Sequence, residues 1–160
     1  MAGRSVAPVA RREARERALS LLYEAESKGV EPAAVLRDLP VPPDPFAAGL
    51  VAGVQAQHQR IDSLISSHSI GWVMDRMPAV DRALLRMATF ELLSHSDVPT
   101  AVVISEAVDL ATQYSTDESG RFVNGVLAAI AEVVRGDGTA AGQVAPGVAT
   151  SPPAGDGAAP

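Results

Sequence analysis

An all-α fold follows from three features of the sequence. Apolar residues recur at helical spacing through most of the chain between Val9 and Arg135. Prolines fall between those periodic runs, where helices begin and end. No run alternates apolar and polar residues convincingly at the period of a half-buried strand. The pattern predicts five to seven helices, packed as one bundle or as two sub-bundles. Composition allows a core to support it: 47% of the 160 residues are hydrophobic and 20% charged. A domain of this length buries roughly 70% of the surface its unfolded chain exposes.

The elements can be taken in order. Residues 1–8 are read as a loose N-terminus. From 10 to 28, Ala14, Ala18, Leu21, Leu22 and Ala25 share one helical face. Gly29 follows as a C-terminal cap. Pro32 can open a short helix to about Arg37. Pro40 to Pro45 has four prolines in six residues, so it is a linker. One long helix is expected from about Pro45 to His68, with Leu50, Val51, Val54, Ile61, Leu64 and Ile65 inward. Gly71 interrupts, and Trp72 to Met77 read as a turn-rich stretch. Pro78 suits the first position of a helix over about 78–95, with Val80, Leu84, Met87, Ala88 and Leu92 on one side. Glu91 falls at that apolar face and is expected to be paired. Asp81, near the helix start, reads as a cap. A helix over about 100–114 buries Val103, Ala107, Leu110 and Ala111, and includes the β-rich AVVIS run. The last helix spans about 119–134, with Phe122, Val123, Val126, Leu127, Ile130 and Val134. Thr116 to Ser119 carry N-cap chemistry for it. Residues 136–160 hold six Gly, four Pro and seven Ala with no aromatic residue, and read as a disordered tail.

Several function classes drop out. With no cysteine there is no disulfide scaffold, thiolate zinc site or Cys nucleophile. The three histidines form no HxxxH pair and read as surface residues. Phosphate-binding loops and GxSxG elbows are absent, so neither an enzyme nor a cofactor is expected. No apolar stretch is long enough to span a membrane, and nothing resembles a secretory signal. A soluble cytoplasmic protein is the expectation.

Charge is distributed unevenly. Residues 1–17 hold five Arg against two Glu, a net of +3. The remaining residues hold 8 basic and 17 acidic side chains, a net of −9. An Arg-rich end on an acidic body points to a polyanion contact at one address. It equally suits an ion-paired helix end, since Arg12 and Glu16, and Glu13 and Arg17, stand at i,i+4. Past the Thr116 loop, Arg121, Phe122 and Asn124 could present a cation, a ring and an amide to an unstacked base.

Two stretches carry a family resemblance. They are RREARERALSLLYEAE, from Arg11 to Glu26, and the run from Val80 to Leu127. Within the second, Phe122 to Leu127 reads FVNGVL, and Asp97-Val98-Pro99 leads to Ser105-Glu106-Ala107. The sequence resembles the NusB family of transcription antitermination factors over most of residues 9–135. The resemblance implies about six to seven helices in two packed three-helix sub-bundles and no catalysis. It implies an adaptor that binds boxA-type single-stranded RNA of ribosomal RNA operon leaders together with ribosomal protein S10 (NusE). Other Nus factors and RNA polymerase are implied as partners, and a homodimer as a further one. Carried over by position, the RNA contacts fall on Arg11, Arg12 and Arg15, and on Glu118, Ser119, Arg121 and Phe122. Glu13 stands where relatives often carry a basic residue. Asn124 is expected to brace the turn. The S10-facing surface falls on Tyr23 and Asp81, although Tyr23 suits a core position equally well. The alternative from another class is a helical protein-interaction module with little RNA binding of its own.

Overall fold

The computed structural model describes residues 8–136, with side chains from Ala10 onward. The expected loose N-terminus and tail therefore lie almost wholly outside the described residues. Seven α-helices and one 3-10 turn account for the regular structure among them, with no strand.

Helix α1 runs from Pro8 to Lys28. Gly29 ends it with φ +65, a conformation that costs glycine nothing. The Gly29 and Val30 amides then donate back to the Glu26 and Ala25 carbonyls at 3.1 and 3.0 Å, a Schellman closure. Helix α2 (Pro32–Arg37) and α3 (Pro45–Ala56) both begin with proline at their first turn, where no amide is needed. Asp44 caps α3 by accepting the Phe46 amide at 2.8 Å.

The single helix expected from Pro45 to His68 is two. The chain bends at Gln57 (φ −110, ψ 21) before α4 (His58–His68). Hydrogen bonding continues through the bend, from Gln57 to Gly53 and from Ile61 to Gln57, each 3.0 Å. Periodicity alone therefore could not reveal it. Gly53 has a separate reason: a Cβ there would lie 2.1 Å from Phe90 Cζ. Helix α3 thus carries a notch filled by a ring from α5.

A 3-10 turn (Met74–Arg76) leads to α5 (Ala79–Ser94). Pro78 is the N-cap residue of α5 rather than its first helical position. Asp81 lies in the first turn of α5, where a carboxylate favours the helix dipole as expected, but makes no side-chain cap bond. Helix α6 (Thr100–Tyr114) absorbs the AVVIS run. Helix α7 (Asp117–Arg135) starts two residues earlier than the apolar pattern indicated. Thr116 caps it by accepting the Ser119 amide at 3.0 Å.

Helices α1, α2 and α3 pack on one another, as do α5, α6 and α7. Helix α5 also lies against α1, α3 and α4, and joins the two groups. Leu21, Leu50, Ile61, Ile65, Leu84, Leu85, Leu110, Leu127 and Ile130 are fully buried. This is the all-α arrangement of two three-helix groups that the sequence led us to expect.

One unforeseen residue fastens the second group. Arg135, in the last turn of α7, donates to the carbonyls of Leu92 (3.1 Å), His95 (3.0 Å) and Val98 (2.7 Å). It also reaches the Glu91 carbonyl (3.3 Å) and Thr100 Oγ1 (3.1 Å). The end of α5 exposes carbonyls that its own helix cannot satisfy, and one guanidinium takes several of them.

Candidate nucleic-acid interface

The arginines of α1 do not behave alike. Arg11 and Arg12 are partly exposed, but Arg15 is 3% exposed. Arg15 donates from Nε and Nη2 to Glu91 of α5, which is 1% exposed, at 2.9 and 2.8 Å. This corrects its assignment to RNA: Arg15 is sealed in the core, where its charge is matched by the buried Glu91. The pairing expected of Glu91 is therefore real. Leaving either partner alone would strand a buried charge.

Arg11 lies 4.8 Å from the centre of the Phe46 ring, a cation–π contact, and 3.8 Å from Asp97. Phe46 in turn packs on His95 with ring centres 5.3 Å apart. His95 is thus half-buried, unlike the surface histidine expected. Arg12 reaches across to α6, donating to Asp109 at 3.2 Å and lying 3.9 Å from Glu106. Both arginines therefore face carboxylates that the composition did not locate. Exposed pairs of this kind contribute about 0–1 kcal/mol each, so a phosphate can displace them.

The start of α7 differs. Arg121 is exposed and, among the described residues, has no carboxylate within 4.0 Å. Glu118 is exposed beside it. Phe122 is half-buried against the core. Its ring centre lies 5.6 Å from that of Trp72, which comes from the segment between α4 and α5. Ser119 is 6% exposed and bonded to Thr116 and Ser115. It is a structural part of the cap, which corrects its placement among the RNA contacts. Arg121, Asp117 and Asn124 edge a shallow cavity of about 260 Å³, over Gly120 and against Val108 and Thr112. Asn124 is exposed at that rim, and bracing of the turn falls to Thr116 and Ser119.

The two partner positions separate as well. Tyr23 is 46% exposed on α1, which removes the core alternative. Asp81 is 3% exposed, and its Oδ1 has no hydrogen-bond partner. A carboxylate so covered is not a surface contact, which corrects its assignment. A larger cavity of about 940 Å³ lies between α1, α2, α3, α4 and α5, lined by Glu26, Val30, Gln55, His58 and Arg86 among others. None of the expected RNA or partner residues lines it. Near it, Arg82 pairs with Glu26, and Arg86 with Asp62 at 2.8 Å. Burial, and then the neighbouring Arg86 charge, push the Arg82 pKa down.

Among the described residues no group of three or more His, Cys, Asp or Glu is placed to hold a metal ion. Nor, among the described residues, is any helix long and apolar enough to cross a membrane. The residues that sequence reasoning missed are Asp97, Glu106, Asp109, Trp72 and Arg135. Asp97 and Glu106 left a signal only as members of the family motif, and Trp72 as the sole tryptophan, set in a turn-rich stretch.

Comparisons with known proteins agree with this architecture. The family model described as the NusB family matches residues 12–132. A transcription antitermination protein NusB from Kineococcus radiotolerans is 52% identical over 128 residues, covering 78% of this chain and 94% of that protein. Its counterpart from Salinispora tropica is 51% identical over 130 residues, covering 77% and 96%. Among solved structures, T. maritima NusB superposes with a TM-score of 0.69 at 35% identity, over 76% of this chain and 90% of that one. A structure of antitermination factors NusB and NusE in complex with dsRNA gives a TM-score of 0.66 at 30% identity, over 77% and 96%. Helix order, core and sequence match together establish that this chain belongs to the NusB family.

Proposed function

We propose that the chain is an antitermination adaptor that binds boxA-type single-stranded RNA of ribosomal RNA operon leaders together with ribosomal protein S10 (NusE). The observation that carries the reading is Arg121, exposed and unpaired among the described residues, next to the half-buried ring of Phe122. An open guanidinium suits a phosphate, and a ring with one face supported suits a base. A NusB has been solved with NusE in complex with dsRNA, which supports NusE and RNA as the two classes of partner. Arg11 and Arg12 extend the RNA contact once they exchange Asp97, Glu106 and Asp109 for phosphates. Glu118 lies at its edge. Tyr23 is the S10-facing residue. Other Nus factors and RNA polymerase join downstream, in the cytoplasm.

A second reading has its own support. Three carboxylates stand within ion-pair distance of Arg11 and Arg12, so this end is already neutralised. A protein module, including a homodimer, would use such a face without RNA. Fluorescence anisotropy of a short labelled boxA-type RNA separates the two, run with and without S10 and against a scrambled RNA at one fixed salt. Preference for the authentic RNA, tightened by S10, is the expected result. No binding in either condition, with S10 shown to be folded, leaves the protein module.

A further inference from the structure

The segment between α4 and α5 brings Ile70, Trp72 and Val73 to the surface, at 94%, 51% and 60% exposure. Isolated apolar side chains at a surface are ordinary, but three in one short turn form a patch. The turn is built to hold them there. Gly71 adopts φ +81, and the buried Ser69 accepts the Trp72 amide on its carbonyl at 3.3 Å. The Ser69 hydroxyl donates to the Ile65 carbonyl at 2.7 Å. Trp72 itself rests on Phe122, with ring planes tilted by 49°. One side of the indole is thus supported by α7 while about half of the residue stays open to solvent.

We propose that Trp72 is a base-stacking residue, the outer member of an aromatic step with Phe122, and takes an unstacked base of a single-stranded RNA. The inference rests on the RNA reading above and adds to it a residue that neither the family carry-over nor the comparisons assign. Charge decides between RNA and an apolar protein partner. Arg76, at the end of the 3-10 turn, and Arg121, beside Phe122 in sequence, both lack a carboxylate within 4.0 Å among the described residues. Arg76 follows Trp72 by four residues and Arg121 precedes Phe122 by one, so each ring has an unpaired cation close in sequence, a combination suited to the phosphates and π-faces of a strand. Asp75, Asp117 and Glu118 are exposed on the same elements but none lies within ion-pair distance of Arg76 or Arg121, so both guanidinium groups are open to phosphates. A ring already packed on another also loses little freedom when a base arrives.

Because Trp72 is the only tryptophan of the chain, its emission reports this position alone. The full chain is titrated with end-labelled boxA-type RNA, reading RNA anisotropy and tryptophan emission together. The expected result is quenching along the same curve as the anisotropy rise. Trp72→Ala should weaken binding by about tenfold or more, and Trp72→Phe by less, because a smaller ring still stacks. Neither substitution should change the slope of log affinity against log salt, since the indole is uncharged. Anisotropy that rises while emission stays constant overturns the stacking role and leaves the RNA reading standing. Absence of any anisotropy rise overturns both. Emission that shifts with protein concentration and not with RNA assigns the patch to contact between two copies, and also overturns the proposal. Should Trp72→Ala fail to fold by circular dichroism, the emission titration of the unaltered chain and the Trp72→Phe affinity still decide.

Discussion

Arg12 on α1 and Arg121 on α7 carry the same side chain in opposite circumstances. Arg12 already has two carboxylates within 4.0 Å, Glu106 and Asp109, whereas Arg121 has none among the described residues. Arg15, one turn along from Arg12, is a third case, buried against Glu91. Local positive charge in a sequence is therefore a poor guide to positive charge on a surface. What a polyanion meets depends on which acids the fold brings alongside. For Arg12 those acids come from α6, and for Arg15 from α5.

The comparison can be broken or sharpened by substitution. The largest effect is expected at Arg15. Arg15→Ala strands Glu91 in the core and should cost about 3–5 kcal/mol of unfolding free energy in urea melts. Replacing both partners, Arg15→Met with Glu91→Leu, should recover most of that loss. A single substitution that left stability unchanged would mean the pair is not buried in solution. Next comes Phe122→Ala, expected to weaken RNA binding by about 1–3 kcal/mol in anisotropy titrations. If the variant instead unfolds, the ring belongs to the core alone. The salt response then separates the two arginines. Arg121→Ala should lower the salt slope by about one. Arg12→Ala should lower it by less, because Glu106 and Asp109 take up cations when Arg12 leaves them, offsetting the ions released from RNA. Equal slopes for the two would erase the distinction. The smallest effect is at Asp109→Asn. It should change stability by less than about 1 kcal/mol while tightening RNA binding at low salt. Weaker binding would show that Asp109 helps to present Arg12 rather than competing for it.

Much of the fold was legible because it depends on local spacing. The buried faces of α1, α6 and α7 follow from residues three and four apart. The Gly29 and Thr116 caps follow from chemistry at fixed offsets. The break at Gln57 was hidden because its hydrogen bonds and its apolar spacing both run through it. The candidate site was legible in part. Arg121 and Phe122 are neighbours on one helix, and the family pattern marks both. Arg15 and Glu91 were each visible, the one as a cation and the other as an acid needing a partner. Their pairing spans 76 positions in sequence, and no local rule joins them. Long separations in sequence likewise hid Trp72 from Phe122 and Asp109 from Arg12. Arg135 marked only the end of the helical pattern in the sequence, whereas its acceptors lie at the end of α5, on the turn after it and at the start of α6.

The Arg15–Glu91 pair also sets an order of events during synthesis. At about 5–20 residues per second, the ribosome needs on the order of 4–15 s to travel from Arg15 to Glu91. Until then a cation bound for the core has no counter-charge, and the inner face of α1 cannot close over it without stranding it. The inner face of α1 therefore gains its counter-charge only once α5 has been made. Each three-helix group taken alone would hold one half of the ion pair without its counter-charge, because Arg15 belongs to the first and Glu91 to the second.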